Sequence, residues 1–402
     1  MSDILNVTPD FYWVGALDPT LRTFDIVMET EFGTTYNAYL LKGSEGIALF
    51  ETVKDKCFDK YLEKLKKIVA LEDIKYIIVD HTEPDHAGSV AKLLPYTPDA
   101  TVVGSALAIR FISQIINAPF KSLVVKDGET LSLGNKTIRF LSVPQLHWPD
   151  TMYSYIEEDG LLITCDSFGA HYSDERIFKN ALETDREADY VSAYKYYFDM
   201  IMGPFKPFVL KALDKIKDLS IKFICPGHGM ILDETNMQKY LDFYKTWSTP
   251  KALSPKIVVA YVSAYGYTKE MAETICKGID ASDYTGEVVL LNLETDSLAD
   301  AMAHIETAEG LLLGSPTILA DALPPIWNVL TSLNPVVHRH LTVGTFGSYG
   351  WSGEALPHIQ ERFKQLKCRI PLQPLACVFK LGETNLQEAF NFGKNFASTL
   401  VK

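Results

Sequence analysis

A short segment of the sequence contains four side chains that commonly bind metal ions. It reads His81-Thr82-Glu83-Pro84-Asp85-His86, so two imidazoles and two carboxylates fall within six residues. The apolar run before it predicts a buried strand, which places these side chains at the strand's carboxyl end, where open α/β folds bind ligands. Chance clustering on a surface is the alternative explanation, and a metal site explains the spacing better.

Three further residues of the same types follow apolar runs later in the chain. His147, Asp166 and His228 each come just after a predicted strand. Five of the nine histidines lie in the first 250 residues, and four of those five belong to these motifs. A single histidine is usually a structural residue, but that explanation would have to hold four times. We therefore expect the seven residues to form one site.

The combination of ligand types indicates the metal. Four imidazoles and three carboxylates provide seven protein ligands for two metal ions. A coordination sphere that mixes imidazole nitrogens with several carboxylate oxygens and leaves positions open favours iron over a closed tetrahedral zinc site. The carboxylates also offset much of the charge of two divalent ions, which suits a redox centre. Asp166 has two oxygens and is the natural bridge between the metals.

A second site is predicted in the last 150 residues. After an apolar, β-branched run comes Ser263-Ala264-Tyr265-Gly266-Tyr267-Thr268, followed by a helical pattern. Hydroxyls and backbone N–H groups at the start of a helix bind anions. No Walker lysine and no G-x-G-x-x-G accompany the loop, which disfavours nucleoside triphosphates and dinucleotides. The S/T-x-x-G-x-T pattern resembles the phosphate loop of flavodoxins.

Two further loops follow predicted strands of this region. They are Gly314–Thr317 and Gly347–Gly353. An isoalloxazine ring needs flat aromatic neighbours and close backbone approach, which Tyr349, Trp351 and the glycines can supply. Ordinary packing is the alternative for either aromatic alone. Together the three loops favour FMN, with the candidate contacts Ser263, Tyr265, Gly266, Tyr267, Thr268, Pro316, Thr317, Ser348, Tyr349, Gly350, Trp351 and Gly353.

The elements that must position these sites divide the chain into two regions. Two prolines within six residues mark 247–255 as a linker. Beyond it, strand and helix patterns alternate and predict a doubly wound α/β domain at 255–402 with a five-stranded parallel sheet. Its strands are predicted at 257–262, 286–291, 309–313, 340–346 and 374–379.

The first 250 residues have a different pattern, with strands that come early and in clusters. They predict an α/β sandwich at 1–250 with much antiparallel sheet. Helices are predicted at 56–69 and 106–117, with one long helix near 186–217. The strands are predicted at 11–16, 35–41, 46–53, 74–80, 101–103, 137–143, 152–156, 161–165 and 222–225.

Composition limits the classes of function. The 402 residues suggest two to three domains, and the net charge of -13 argues against nucleic acid and anionic membranes as partners. No apolar run approaches the roughly 20 residues of a membrane span. No signal peptide is expected, and the six cysteines form no C-x-x-C pair, so we expect a cytoplasmic protein with reduced thiols and no rubredoxin-type site.

The order of ligands in the first region resembles the metallo-β-lactamase superfamily, with Glu83 at the position of that family's usual second histidine. Its fusion to a flavodoxin-like region resembles the flavodiiron proteins, or A-type flavoproteins, over the whole chain. The resemblance implies a metallo-β-lactamase-like αββα sandwich and a flavodoxin-like domain. It also implies two non-haem irons, one bound by His81, Glu83 and His147 and the other by Asp85, His86 and His228, with Asp166 bridging.

The resemblance also implies an activity and partners. Flavodiiron proteins reduce O2 to water, NO to N2O, or both, and the expected role is protective removal of these gases in the cytoplasm of an anaerobe. FMN hydroquinone and a diferrous pair together store the four electrons that O2 needs. No third domain remains for an electron donor, so rubredoxin or a reduced deazaflavin would supply electrons. A head-to-tail homodimer, or a dimer of dimers, is implied.

Two residues near the predicted metal site are candidates for a catalytic role. His171 follows the loop of Asp166 and would contact the substrate pocket, or else be a loop histidine with a backbone partner. Tyr197 would donate a hydrogen bond to a bound intermediate, or else belong to the core face of a helix. Two other functions remain open, a metal-dependent hydrolase of the β-lactamase superfamily and an electron carrier with a structural metal.

Overall fold

The fold is described from a computed structural model, which covers residues 5–250 and 255–401. The chain divides into two compact units, Met1–Pro250 and Lys251–Lys402, and each is described by itself. The predicted linker falls partly outside the described residues, because 251–254 are not among them. Within the described part, no helix has the length and apolar character needed to cross a bilayer.

The first unit contains two main β-sheets, two short strand pairs and seven α-helices among its described residues. The helices are α1 (Phe58–Ile68), α2 (Pro84–Ala87), α3 (Val90–Leu93), α4 (Ala106–Ile116), α5 (Glu187–Tyr197), α6 (Lys206–Ile216) and α7 (Met237–Ser248). The strands are β1 (Leu5–Thr8), β2 (Phe11–Trp13), β3 (Ala16–Asp18), β4 (Thr23–Phe24), β5 (Met28–Glu29), β6 (Thr34–Tyr36), β7 (Tyr39–Lys42), β8 (Ile47–Phe50), β9 (Ile74–Ile78), β10 (Thr101–Gly104), β11 (Ser122–Val124), β12 (Thr130–Ser132), β13 (Thr137–Ser142), β14 (Met152–Ile156), β15 (Leu161–Cys165), β16 (Phe223–Pro226) and β17 (Leu232–Asp233). Two short pairs, β3–β6 and β4–β5, lie outside the main sheets.

The two main sheets face each other across a shared apolar core. One has the order β1-β2-β7-β8-β9-β10-β11, the other the order β12 to β17. Phe50 of the first sheet and Ile163 of the second belong to the same buried cluster. Helices α1 and α4 pack on the outer face of the first sheet, and α5, α6 and α7 on that of the second. These layers confirm the predicted αββα sandwich with much antiparallel sheet.

Two predicted strands of the first unit are each interrupted. The strand predicted at 11–16 is β2 followed by β3, which pair with different partners. Gly15 lies between them, and a Cβ there would lie 2.3 Å from the carbonyl oxygen of Tyr36. Likewise, the strand predicted at 35–41 is β6 followed by β7. Close backbone crossing explains both breaks, and the alternation of apolar residues does not reveal it.

The long helix predicted near 186–217 is wrong. After α5 the chain forms a π-helical turn at Phe198–Met202 and a 3-10 turn at Gly203–Phe205 before α6 begins. Pro204 and Pro207 lack the N–H groups that would continue the α-helical hydrogen bonds. Both helices keep an apolar face toward the second sheet, which is why the periodicity alone suggested one element.

The second unit is a five-stranded parallel sheet with helices on both faces, as predicted. The sheet order β19-β18-β20-β21-β22 is the doubly wound order in which the first strand lies beside the second and third. Helices α9, α10 and α11 cover one face, and α8 and α12 the other. The strands are β18 (Lys256–Tyr261), β19 (Glu287–Asn292), β20 (Gly310–Gly314), β21 (Thr342–Tyr349) and β22 (Leu375–Val378). The helices are α8 (Tyr267–Asp280), α9 (Leu298–Ile305), α10 (Pro324–Ser332), α11 (Ala355–Gln365) and α12 (Glu383–Ser398).

Candidate metal centre and flavin site

The first four candidate ligands lie in the segment that follows β9. His81 and Glu83 are in the extended part of this segment, and α2, which begins at Pro84, carries Asp85 and His86. Proline fits the first position of a helix because no hydrogen bond needs its missing N–H. The strand end and the short helix therefore present the four side chains in close succession.

The other three candidates also follow strand ends. His147 comes after β13, Asp166 directly after β15, and His228 two residues after β16. Because β15 and β16 are parallel neighbours, Asp166 and His228 lie at the same edge of the sheet. Gly227 allows the close approach of the chains here, since a Cβ at this position would lie 2.4 Å from Cε1 of His86.

The seven side chains form two groups in which the possible ligand atoms lie within 4.8 Å of one another. In the first group, Nε2 of His147 and Nε2 of His81 lie 2.9 and 3.4 Å from Oε2 of Glu83. In the second, Nε2 of His228 lies 3.0 Å from Oδ2 of Asp85. The first group is His81, Glu83, His147 and Asp166, and the second is Asp85, His86 and His228.

Asp166 lies between the groups and presents one carboxylate oxygen to each. Its Oδ2 lies 3.4 Å from Nε2 of His81 and 3.3 Å from Nε2 of His147. Its Oδ1 lies 3.0 Å from Nε2 of His86 and 3.5 Å from Nε2 of His228. A carboxylate in this position can bridge two metal ions.

The candidate centre is enclosed on one side and accessible on the other. Five of the seven side chains are at most 3% exposed, whereas those of Glu83 and His147 are 20% and 16% exposed. Two aromatic rings flank the accessible side, Trp148 at 6.1 Å and Phe205 at 6.4 Å from the ring of His147. A small substrate can therefore reach the first group from solvent.

In the centre without metal, the positive charge of protonated histidines compensates the negative charge of the carboxylates. Although burial lowers it, hydrogen bonds with Asp150 and Glu83 raise the pKa of His81 to about 10. Burial likewise lowers the pKa of His147, but Asp166 and Glu83 raise it to about 9. The surrounding imidazoles hold the pKa of Asp166 well below its usual range, although burial opposes this. Two divalent cations can replace these protons.

The donor set fits two iron ions. In the metal-free chain, Oδ1 of Asp85 and Oδ2 of Asp166 are buried and accept no hydrogen bond from any described residue. Nδ1 of His228 donates to the carbonyl oxygen of Thr35 at 2.5 Å, which leaves Nε2 as the ligand atom. Imidazoles mixed with carboxylates at an accessible site match the preferences of non-haem iron.

Two acidic residues that sequence reasoning missed hold the ligand segment in place. Oε1 of Glu51 accepts hydrogen bonds from the backbone N–H groups of Asp80 and His81 at 2.7 and 3.2 Å. Oδ2 of Asp150 accepts from N and Oγ1 of Thr82 at 2.9 and 2.7 Å and lies 3.5 Å from Nδ1 of His81. An acidic residue directly after the buried strand β8 was the only available signal for Glu51.

His171 and Tyr197 both lie beside the second group. The hydroxyl of Tyr197 donates to Oδ1 of Asp166 at 2.9 Å. Nδ1 of His171 lies 2.8 Å from Oγ1 of Thr34, so the partner is a side chain rather than the backbone. The ring of His171 lies 4.9 Å from that of Tyr197 and 5.2 Å from that of His228. Burial lowers the pKa of His171 well below its usual value, so its ring is neutral.

A small pocket reaches His171 from the surface. It has a volume of about 220 Å³ and is lined by Glu29, Glu31, Phe32, His171 and Tyr196, with Thr30, Ser192 and Ala193. The larger pockets of this unit, of 620 and 530 Å³, are lined by residues outside the candidate centre. Geometry therefore identifies the site better than pocket size does, because the candidate ligands largely fill their own space.

In the second unit, the three predicted flavin loops meet at the carboxyl edge of the sheet. Oγ of Ser263 accepts from the N–H groups of Gly266 and Lys269 at 3.1 and 3.2 Å, which caps the start of α8. The hydroxyls of Thr268 and Ser348 lie 3.2 Å apart and join the first loop to the third. Thr317 joins the second loop to the third, because its N–H donates to the carbonyl oxygen of Ser348 at 3.2 Å.

The remaining flavin candidates differ in their surroundings. Gly266 has a φ of +86°, and a Cβ there would meet nothing within 4 Å, so the loop is open. Tyr265 is 81% and Trp351 98% exposed. A Cβ on Gly353 would lie 3.2 Å from the ring of Tyr349. Pro316 and Tyr267 also belong to these loops, and Ser348 and Tyr349 belong to β21 rather than to a loop.

Sequence reasoning missed one aromatic residue at this edge. Phe379 follows β22, has a φ of 57° and is 60% exposed. Its ring lies where a Cβ on Gly350 would be, at 2.5 Å from Cε1. Only the strand pairing of β21 with β22 brings these residues together. Phe379 therefore extends the exposed aromatic surface of the third loop.

Two different family models match this chain. Residues 34–229 match the family model described as "ODP family beta lactamase", and residues 259–393 match the flavodoxin model. The chain is 36% identical to the flavo-diiron protein FprA2 of Clostridium acetobutylicum over 98% of this chain and 99% of the relative. It is 33% identical to the nitric oxide reductase of Moorella thermoacetica over the full length of both.

Solved structures of flavodiiron proteins resemble nearly the whole chain. The rubredoxin oxygen:oxidoreductase of Desulfovibrio gigas is 27% identical with a TM-score of 0.69, over 99% of this chain and 98% of the other. The flavodiiron protein of Giardia intestinalis is 26% identical with a TM-score of 0.69, over 98% and 96% of the two chains. The predicted β-lactamase-like and flavodoxin-like folds are confirmed.

Proposed function

The chain belongs to the flavodiiron protein family and is an oxidoreductase, and we propose that it reduces O2 to water, NO to N2O, or both. The cofactors of this family and of its flavodoxin domain are a diiron centre and FMN. When bound, FMN supplies two electrons and a ferrous pair supplies two more. The total of four electrons is what the reduction of O2 to water requires. The proposed role is protective removal of O2 or NO from the cytoplasm.

The observation that carries this proposal is the position of Asp166 between two groups of ligands. We assign His81, Glu83 and His147 to one iron and Asp85, His86 and His228 to the other, with Asp166 bridging. Each histidine would bind through Nε2, the atom that faces the carboxylates. Glu51 and Asp150 orient the ligand segment through its backbone.

Two residues beside the second group are the proposed catalytic side chains. Tyr197 has its hydroxyl at the bridging carboxylate, where the O–H can turn toward a bound diatomic molecule and donate a hydrogen bond. His171 stays neutral and presents Nε2, which has no hydrogen-bond partner among the described residues. Burial of both side chains keeps bulk water away from the second group.

Electrons must come from outside the chain, and we propose rubredoxin or a reduced deazaflavin as the donor to FMN. The proposed assembly is a head-to-tail homodimer, or a pair of such dimers, in which FMN of one protomer serves the irons of its partner. Mixing inactive Asp166→Ala and Thr268→Glu chains tests this arrangement. Recovered activity in the mixed dimers supports it, whereas inactive mixtures, with FMN retained in the first and iron in the second, would refute it.

Metal analysis tests the proposed function itself. Protein purified without added metal should contain about two irons and one FMN per chain and oxidise a reduced donor with O2 or NO. An Asp127→Ala variant is the matched control for Asp166→Ala, because Asp127 is an exposed acid that pairs with Lys215. Zinc in place of iron, without oxidase activity, would favour a hydrolase and contradict the proposal.

A further inference from the structure

A row of buried aromatic rings connects the candidate metal centre to the surface of the first unit. The aromatic chain consists of Tyr244, Tyr194 and Trp247. It begins two residues from Asp166, where the N–H of Phe168 donates to the hydroxyl of Tyr244 at 2.8 Å. This hydrogen bond attaches the chain directly to the backbone that carries the bridging carboxylate.

Each member of the aromatic chain contacts the next. The ring centroids of Tyr244 and Tyr194 are 5.3 Å apart, those of Tyr194 and Trp247 5.8 Å, and those of Tyr244 and Trp247 6.5 Å. Phe198 fills the space between them, at 4.9 Å from Tyr244 and 5.2 Å from Trp247. No break separates the loop of Asp166 from the indole.

Exposure to solvent begins only at the far end of the aromatic chain. Tyr244 and Tyr194 are fully buried, whereas Trp247 is partly exposed. Its ring stacks on Phe243 with centroids 5.0 Å apart, and Nζ of Lys195 lies 5.3 Å from the ring centroid. Trp247 is the member of the aromatic chain that solvent reaches, so water can accept the indole proton there once the ring has lost an electron.

Packing alone does not explain why the buried ring of Tyr194 carries a hydroxyl. The hydroxyl of Tyr194 makes a long hydrogen bond of 3.4 Å to the carbonyl oxygen of Tyr240. A buried hydroxyl with a poor partner is destabilising, so phenylalanine would pack more favourably at this position. Tyrosine and tryptophan differ from phenylalanine in giving up an electron readily.

We propose that the aromatic chain carries oxidising equivalents away from the metal centre when O2 arrives and the flavin has no electrons to give. The inference rests on the proposed function, because only a reaction with O2 produces such an oxidant. It adds a protective reaction to the reduction of O2. Without this path, the histidine ligands and Tyr197 are the nearest groups that the oxidant can attack.

The proposed reaction balances in electrons and protons. One electron moves from the indole of Trp247 through Tyr194 or Tyr244 to the oxidised centre, and the indole N–H proton passes to water. A soluble thiol then returns one electron and one proton to the indolyl radical. Two such events oxidise two thiols to one disulfide. Tyr194 and Tyr244 start and finish in their phenol forms.

The test compares Trp247→Phe with Trp247→Tyr in protein loaded with iron and FMN. Both substitutions keep an aromatic ring, but only tyrosine is readily oxidised. Each protein receives a limiting amount of reduced donor and excess O2 without thiol. Oxidised residues are then mapped by peptide mass spectrometry, and radicals are trapped by rapid freezing for electron paramagnetic resonance. Tyr194→Phe provides a second, isosteric interruption, and Trp327→Phe in the second unit is the control.

In the wild type and in Trp327→Phe, we expect oxidation at Trp247 and a tryptophan radical. Trp247→Tyr should give a tyrosine radical and oxidation at the same position. Trp247→Phe should lose the surface radical and shift oxidation to Tyr244 and the ligand histidines, and Tyr194→Phe should shift it partly. Normal O2 uptake with the same map in every variant overturns this inference alone. Absence of O2 uptake by wild type that still reduces NO also overturns this inference alone, whereas absence of reaction with both O2 and NO overturns the proposed function and the inference with it.

Discussion

The two candidate sites differ in how completely the chain prepares them. In the first unit, the candidate metal ligands are already grouped and mostly buried, with Asp166 facing both groups. In the second, the flavin loops are joined by hydrogen bonds, but Trp351 and Tyr265 extend into solvent. The metal centre is assembled by the fold, whereas the flavin site offers surfaces that the ligand completes.

This difference follows from the two kinds of ligand. Metal ions need several charged or imidazole groups at fixed distances, and such groups are costly to bury unless they compensate one another. The isoalloxazine ring is large and flat, so exposed aromatic side chains can bind it without prior burial. Exposed apolar residues around the flavin edge, such as Leu319 and Phe379, mark the same open surface.

The largest expected effect is the loss of the bridge. Among the described residues, Asp166 is the only carboxylate that faces both groups, so in Asp166→Ala iron content should fall and activity should drop by at least about 100-fold. FMN content should stay unchanged, because the flavin loops belong to the other unit. Metal analysis and flavin absorbance measure the two effects. Equal loss of iron and FMN would contradict the independence of the two sites.

A residue outside the ligand set should have the next largest effect. Asp150→Asn keeps the size of the side chain but removes the charge that lies 3.5 Å from Nδ1 of His81. Groups that orient metal ligands typically contribute about 10–100-fold to affinity or activity. Iron titration of the metal-free variant should show this weakening, and Asp99→Asn, at an exposed pair with Lys121, serves as the control. Equal iron affinity in Asp150→Asn and in the control variant would show that Asp150 does not orient the metal ligands.

The exposed aromatic in the flavin site should have a smaller effect. Trp351→Ala should weaken FMN binding by about 2–12-fold, the equivalent of about 0.5–1.5 kcal/mol for an aromatic pair. The melting temperature of the flavin-free protein should not change, because the side chain is 98% exposed. Flavin fluorescence measures the affinity, and Val336→Ala is the control. A large loss of stability would show that the flavin site is as preassembled as the metal centre.

The pH dependence of stability should distinguish the metal-free and iron-loaded forms. In the metal-free protein, the pKa values of His81 and His147 are about 10 and 9, above the usual value of about 6.5 in an unfolded chain. A raised folded-state pKa contributes stability below the unfolded value, and this contribution disappears as the pH rises through 9–10. The melting temperature of the metal-free protein should therefore fall between about pH 6.5 and 10, whereas bound iron should flatten the curve. Parallel curves of melting temperature against pH for the metal-free and iron-loaded forms would contradict this prediction.

Sequence patterns predicted different parts of the molecule with different success. The alternation of strand and helix patterns was enough to predict the five parallel strands of the second unit, because each strand and the helix after it form a unit of neighbouring residues. The candidate metal ligands stand out in the sequence because their types are rare and their motifs follow predicted strands. Glu51 could not be assigned from sequence, since its role depends on backbone N–H groups 29 and 30 residues away. The break between α5 and α6 could have been predicted only if Pro204 had been given more weight than the continuous apolar face of the predicted helix.

The most direct test of the central claim is a single turnover. Protein loaded with iron and FMN is reduced by four electrons without oxygen, and then mixed in a stopped-flow instrument with one equivalent of O2 or, separately, with NO. The account predicts rapid oxidation of FMN and iron by at least one of the two gases, with O2 consumed to water and no peroxide released. Slow oxidation by both gases, or peroxide released in proportion to O2, would contradict it.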